Sequence, residues 1–300
     1  MIGIVILNYN SWEDAITCIA SIKQTTRCMY RIYLVDNKST DNSLFYLNET
    51  YRDDSDVIII ESTENKGYAQ GNNIGVRRAL KDGMSEILIS NTDVIFQNSA
   101  IDNMIVALES REDVAVVGPR IFDINGNDSQ FASKLLTFMR FLRSKKPFCF
   151  LDKWGFKSGR YYQYDQLKPF TFYGMVSGCC FLIKTLEFEN INFFDEHTFL
   201  FYEEDIVAYG LFRYMKMTMI TPKALVVHNH SKTIKKEGLA FSRYHRCCSA
   251  LYVLRTYVRI NRFQLLVVII LIVTPFCVKS IYNRSYRKYL KKMINYLLIC

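Results

Sequence analysis

The sequence predicts an α/β fold: an open, mostly parallel sheet with helices on both faces. Three observations predict it. Short β-branched runs alternate with amphipathic stretches through the first 120 residues. Polar residues recur in step at the ends of those runs. A 300-residue chain that is 50% hydrophobic and 22% charged can bury a large core. The expected strands are Gly3–Leu7, Ile32–Val35, Val57–Ile60, Ile87–Ile89 and Val114–Val117, each a run of Val, Ile and Leu bounded by polar residues. Between them Trp12–Lys23, Leu44–Tyr51, Gly71–Leu80 and Ala100–Leu108 carry apolar residues at helical spacing. Such a βαβα pattern implies right-handed crossovers between parallel strands.

Four strands lead into Asn8, Asp36, Asn65 and Asp93, at intervals of 28, 29 and 28 residues. One strand–helix unit per interval places all four along the carboxyl edge of the sheet, where open α/β folds bind ligands. Asn and Asp also form ordinary turns, but four in step favour a site. Val35–Ser43 (VDNKSTDNS) puts an acid and an amide at a strand end. Asn65–Gly75 (NKGYAQGNNIG) is a glycine-punctuated turn opening a helix, suited to close backbone approach to a nucleotide. Neither GxGxxG nor GxxxxGK[ST] occurs, which argues against dehydrogenases and P-loop ATPases. In Ser90–Val94 (SNTDV), Asn91 and Asp93 alternate and face one way if the strand persists. One carboxylate beside an amide suits a sparse Mg2+ or Mn2+ site completed by phosphate oxygens and water.

The net charge of +9 is uneven. From Ser231 to Cys300 there are fourteen Lys and Arg against one acid, Glu237, while the preceding 230 residues carry a net −4. A cationic tail on an acidic body points to anionic lipid. Nucleic acid is disfavoured, since no RNP-type aromatics, zinc spacing or basic zipper are present. Within the tail, Phe263–Val278 (FQLLVVIILIVTPFCV) is flanked by Arg255, Arg259 and Arg262 before and Lys279 and Arg284 after. As helix it would reach ~24 Å against a hydrocarbon core of ~30 Å, with Pro275 interrupting its end. A re-entrant or in-plane segment fits better than a full span; a buried helix is the alternative. Lys134–Lys146 (KLLTFMRFLRSKK) is a second cationic, apolar stretch. The nine cysteines show no CxxC spacing, and MIGIVILNYN lacks a basic flank or cleavage site, so a reduced, cytoplasmic setting is expected.

Glu203, Glu204 and Asp205 are consecutive acids among Phe199, Phe201, Tyr202 and Ile206. Crowded carboxylates in apolar surroundings have raised pKa values, useful for proton abstraction. His228 and His230 stand two apart at a strand-like end and are candidates to face a metal or diphosphate.

Taken in order, IVILNYN, VDNKSTDNS, NKGYAQGNNIG and SNTDV resemble the amino-terminal motifs of family 2 glycosyltransferases with the GT-A fold. The likeness continues through GPRIFDINGN, VSGCCFLIK, FDEHTFLFYEED and HNHSKT, covering roughly residues 2 to 235. It is strongest to the rhamnosyltransferase-like branch of bacterial O-antigen, capsule and related polysaccharide synthesis. The resemblance implies a GT-A domain over 1–235, and the charge and apolar run of 236–300 make that segment a basic, membrane-associating helical tail. It implies an inverting transferase that takes a hexose or deoxyhexose from a dTDP- or UDP-linked donor to a polyprenyl-diphosphate-linked glycan. Asp36 would touch the base or ribose; Asn8, Asn65, Gly67 and Asn72 would shape the nucleotide pocket. Asn91 and Asp93 would lie at the diphosphate, with Asp93 and His228 on the metal. Asp205 would be the base, with Glu204 supporting the acceptor. Two positions depart from the pattern: Asn91 where the first metal-site carboxylate is often Asp, and Val207 where a further Asp usually follows the acid pair. Two other readings compete. A sugar nucleotidyltransferase would show a basic, glycine-rich first loop, but ILNYNSWED offers no Lys or Arg. A non-catalytic GT-A-like assembly partner has only Val207 in its favour.

Overall fold

The computed structural model describes residues 1–129, 132–145, 159–229 and 238–299. The first strands and helices fall where the periodicity puts them. Strands β1 (Ile2–Asn8), β2 (Tyr30–Asp36), β3 (Val57–Glu61) and β4 (Glu86–Asn91) are linked by α1 (Trp12–Thr25), α2 (Ser43–Tyr51) and α3 (Tyr68–Lys81). The four strands are parallel in the order β3-β2-β1-β4. Alternate residues of β1 serve opposite faces: Ile4 and Ile6 pack with Ile19 and Ile22 of α1, while Val5 packs with Val76 and Ala79 of α3. Burial on both faces explains why these strands read as continuous apolar runs.

Beyond β4 the chain forms β5 (Val94–Phe96), α4 (Ala100–Glu109) and β6 (Val114–Phe122), then the short β7 (Ser133–Lys134) and α5 (Phe138–Arg143). There follow β8 (Phe170–Phe172), β9 (Gly174–Met175), β10 (Cys180–Lys184), α6 (Thr185–Asn190), α7 (Glu203–Arg213) and β11 (Met217–His228). The sheet is mostly parallel, as expected; the exception within its centre is β10, which inserts antiparallel between β4 and β6. β11 runs parallel to β6 and antiparallel to β5. The fold is GT-A: a mostly parallel central sheet with helices on both faces and a helical C-terminal region.

That region comprises α8 (Leu239–Thr256), α9 (Arg262–Ser280) and α10 (Arg284–Ile299). Its helices share one apolar core with the rest of the chain: Leu136 and Phe141, with Tyr202 and Ile206 of the α7 entry, meet Leu251, Leu254, Val268, Ile272, Phe276 and Met293. Polar ties reinforce the junction. Ser249 donates to the Leu200 carbonyl at 2.9 Å, and the hydroxyls of Tyr252 and Tyr257 donate to Asp195 at 2.7 and 2.6 Å.

Pro275 does not interrupt α9. The helix continues through it for 19 residues, about 28 Å. Val268, Ile272 and Phe276 pack on either side of the proline and hold the axis, while Thr274 Oγ1 bonds back to the Ile270 carbonyl at 2.7 Å. Asn261 and Gln264 form a reciprocal capping box at its start. Among the described residues α9 is the one helix long and apolar enough to cross a membrane, with a mean hydropathy of 2.2.

Candidate active site

The carboxyl edge of β1–β4 carries a cavity of about 280 Å3, lined among others by Asn37, Asn65, Gly67, Asn91, Asp93 and Phe199. Its walls follow from the topology. Residues leaving β1, β2 and β4 meet the α3 entry on one side, and the loop before α7 closes the other.

Two residues expected at the nucleotide stand one layer behind the cavity. Asp36 accepts from the Ser39 N–H at 2.9 Å, the Ser39 hydroxyl at 2.6 Å and Asn8 Nδ2 at 2.9 Å. Asn8 Oδ1 accepts from Ser11, whose hydroxyl also meets that of Thr92 at 3.1 Å. Both side chains are buried, so this set braces the first, second and fourth strand ends. Asn37, the residue after Asp36, faces the cavity instead. Its Nδ2 donates to Asn65 Oδ1 and to the Gly67 carbonyl, both at 3.2 Å, and its buried Oδ1 has no partner among the described residues. An unpartnered buried acceptor on a cavity wall suits a ligand N–H.

Gly67 lines the cavity, and the protein chain itself requires a glycine there. Its φ is +99°, and a Cβ there would stand 2.0 Å from the Phe199 carbonyl, which also accepts from the Tyr68 N–H at 2.8 Å. Gly71 and Gly75 admit side chains of Leu7 and Val5 and so seat α3 on β1. Asn72 is buried inside α3 and donates to the Tyr68 carbonyl at 3.0 Å. It lies away from the cavity lining.

Asp93 is buried at the cavity edge. β11 pairs with β5 so that His228 sits opposite Val94, bringing His228 Nε2 to 3.3 Å from Asp93 Oδ1. Burial lowers the His228 pKa, but Asp93 and Cys179 outweigh it and push the imidazole up to about 10. Asp93 Oδ2 is buried without a hydrogen-bond partner among the described residues. An orphaned carboxylate oxygen fits a divalent cation with open positions for phosphate and water, and a cation there would displace the His228 proton for the imidazole to join it. No cluster of three or more His, Cys, Asp or Glu supplies a closed metal cage among the described residues. His230 lies outside them.

The acids begin α7 after a strained entry, with Phe201 and Tyr202 at φ +76° and +73°. Glu204 turns toward the β9–β10 segment, where Gly178 makes room: a Cβ at that glycine would lie 1.5 Å from Glu204 Oε1. Tyr68, a cavity residue, donates to the Gly178 carbonyl at 2.9 Å, and the next residue, Cys179, reaches His228. The Gly178–Cys179 step thus lies between Glu204 and the Asp93–His228 pair. Asp205 is 1% exposed, and its Oδ2 accepts from Arg160 at 2.6 Å. Burial raises the Asp205 pKa to about 6 against the opposing pull of Arg160. Burial likewise raises Glu203, helped by the charge of Glu204, and raises Glu204, helped by that of Asp205.

Sequence reasoning did not single out Asn37, Arg160 or Phe241. Asn37 lies within a quoted motif and differs from Asp36 only in facing. Arg160 stands before β8 and outside the quoted motifs, and Phe241 reaches the cavity from α8; no spacing rule marks either.

A GT-A sheet whose edge holds a cavity, with a carboxylate beside it, defines a class of fold and site that handles nucleotide-activated sugars. The profile of "Glycosyl transferase family 2" matches residues 3–186, and the chain belongs to that family. It is 27% identical over 207 residues to a low-salt glycan biosynthesis hexosyltransferase of Haloferax volcanii, covering 68% of this chain and 59% of the relative. It thus spans less than two thirds of that relative's length. An N-acetylglucosaminyl-diphospho-decaprenol L-rhamnosyltransferase of Mycobacterium tuberculosis is 21% identical over 256 residues, covering 82% of this chain and 81% of the relative. Among solved structures, a mannosyltransferase of Pyrobaculum calidifontis in complex with GDP-Man and Mn2+ superposes with a TM-score of 0.58 at 13% identity, covering 99% of this chain and 84% of that one. GalNAc-T7 with UDP, GalNAc and Mn2+ gives 0.58 at 14% identity, covering 77% and 43%.

Proposed function

We propose that the protein is an inverting, metal-dependent glycosyltransferase of cell-surface polysaccharide synthesis, O-antigen or capsule among the products. It moves a hexose or deoxyhexose, rhamnose being the favoured case, from a dTDP- or UDP-linked donor to a polyprenyl-diphosphate-linked glycan. It works at the cytoplasmic face of the membrane. The observation that carries this reading is the Gly178–Cys179 step, which lies between the Asp93–His228 pair and the carboxylate of Glu204. The lipid-linked acceptor in the name of the mycobacterial relative supports it.

In this reading an acceptor hydroxyl attacks the anomeric carbon, its new C–O bond forming as the bond to the nucleoside diphosphate breaks. Asp205 takes the hydroxyl proton. Its pKa of about 6, held against burial by Arg160, leaves it ionised near neutral pH. Its buried pairing with Arg160 must open for the acceptor to reach it. Glu204 orients the acceptor beside Gly178. Asn37 and Asn65 hold the nucleotide end. Asp93 and His228 would hold Mg2+ or Mn2+, which when bound supplies positive charge against the departing diphosphate.

The test is a turnover screen across dTDP-, UDP- and GDP-sugars with Mg2+ and Mn2+, run on native protein and Asp205→Asn. Saturation by one nucleotide, with Asp205→Asn reduced by ~10³-fold, is expected. A native protein that turns over no donor but condenses a nucleoside triphosphate with a sugar phosphate would establish the nucleotidyltransferase instead.

A further inference from the structure

The helix α9 is apolar on nearly all sides, and among the described residues only one side of it packs against the protein. Val268, Ile272 and Phe276 are buried against α8 and α10. On the opposite side Phe263, Leu266, Ile270 and Val278 are 51–73% exposed, continued by Ile281 and Tyr282 in the turn. A soluble helix would carry polar residues there. Cations stand at both ends, with Arg259 before the helix and Arg262 at its first position, and Lys279 in its last turn and Arg284 after it. The partner helix α10 is strongly amphipathic: Arg284, Arg287, Lys288, Lys291 and Lys292 lie on its outer side, while Tyr286 and Met293 are buried.

We propose that α9 lies in the plane of an anionic bilayer surface, its outward stripe among the acyl chains and the cations of its ends and of α10 on the lipid headgroups, without crossing. The proposal rests on the membrane-surface part of the reading above and is independent of the transfer chemistry. Length alone permits a span, but the connection does not. Residues 281–283 turn the chain back, and α10 packs on α9 through Phe276 and Tyr286, ring centroids 5.5 Å apart. It also packs on α8, where Tyr289 meets Tyr244 at 5.3 Å and the Tyr296 hydroxyl donates to the Cys248 carbonyl at 3.3 Å. A spanning α9 would either carry the five α10 cations into hydrocarbon or tear α10 from both helices. In the plane, both ends of α9 stay at headgroup level and every contact survives.

The full chain is floated with vesicles of phosphatidylcholine alone and with added phosphatidylglycerol. A Ser285→Cys variant in the first turn of α10, next to the connection, is labelled by a membrane-impermeant maleimide, with the site read by peptide mass. Flotation only with anionic vesicles, labelling of the introduced thiol from outside and release at alkaline carbonate are expected. Leu266→Glu with Ile270→Glu, both pointing outward, weakens vesicle binding at least tenfold with an unchanged melting temperature. Lys288→Glu with Lys291→Glu removes the preference for phosphatidylglycerol. Binding with the introduced thiol protected until detergent is added would show a span and overturn the in-plane arrangement alone. No binding to either vesicle, with a concentration-dependent dimer that Leu266→Glu and Ile270→Glu disperse, would overturn the membrane-surface reading too and assign the stripe to a second copy.

Discussion

Replacing Gly178 with alanine tests the acid pair without touching it. The added Cβ would stand 1.5 Å from Glu204 Oε1, 2.4 Å from its Cδ and 2.8 Å from its Cγ. Non-bonded heavy atoms settle at about 3.5 Å, so the carboxylate must retreat by about 2 Å. The atoms displaced are the end of a flexible side chain, so the fold absorbs the change. An off-rotamer glutamate costs about 1 kcal/mol, or about 2–4 °C of melting temperature. Catalysis is less forgiving, since a misplacement of ~1 Å costs ~100-fold. Release of nucleoside diphosphate with saturating donor and acceptor should therefore fall ~100-fold in kcat. Glu204→Ala should lose a similar factor, and the double variant should lose no more than either alone, because both changes remove the same positioned group. A Gly178→Ala enzyme within twofold of native turnover would refute a working role for the Glu204 carboxylate in its observed place.

Four further outcomes follow from the same geometry. Asp93→Asn should abolish the thermal stabilisation that Mn2+ confers in the presence of nucleoside diphosphate, measured by calorimetry, and chelation should silence the native enzyme until Mg2+ or Mn2+ is restored. Arg160→Ala removes the cation that opposes burial at Asp205, so the acid limb of the pH–rate profile should move upward from about 6; an unmoved limb would detach Asp205 from proton transfer. The raised carboxylates Glu203, Glu204 and Asp205 bind protons more tightly folded than unfolded, so their stability contribution is full below about pH 4 and declines as pH rises through their folded values. Above about pH 7.5 His245, held down to about 4 by burial and then by Lys292, is essentially neutral in both states and does not oppose that trend; the melting temperature should fall from about pH 7.5 to 8.5, less steeply in Glu203→Gln. Phe241→Ala, which opens the cavity wall supplied by α8, should raise the donor KM more than it lowers kcat.

Much of the first half was legible because one physical rule repeats there. Each strand–helix unit returns the chain to the same sheet edge after nearly equal spacing, so Asn8, Asp36, Asn65 and Asp93 could be placed together before any coordinates. What spacing does not carry is facing. Asp36 turns inward to satisfy Ser39 and Asn8 while Asn37 takes the cavity, and that choice depends on where a loop 30 residues away arrives. Gly67 shows a related limit. A glycine signals close backbone approach, but not whether the approaching group is a ligand or the Phe199 carbonyl. The direction of β10 has no local signal either, since a five-residue apolar strand reads alike in both senses. Pro275 misled for a plain reason: a proline stops an isolated helix, and α9 is not isolated.

The shared core bears on how the tail should be probed. Truncation after Val258 is the natural first experiment for a basic, apolar appendage, yet it would remove Val268, Ile272, Phe276 and Met293 from a core that also contains Tyr202 and Ile206. Those two residues bracket Glu203, Glu204 and Asp205 on α7. Losing four buried side chains forfeits about 2–3 kcal/mol each, a sum comparable to the whole stability of a domain. A dead or insoluble truncate would thus report on the footing of the acids as much as on the membrane. Outward-facing substitutions such as Leu266→Glu leave that core whole, so they separate the two roles. If they release the protein from vesicles while turnover of a soluble acceptor persists, α9 does two jobs with its two sides, supporting the α7 entry on one and meeting lipid on the other. If turnover collapses as well, with the melting temperature unchanged, the outer stripe takes part in catalysis and the division between the two sides fails.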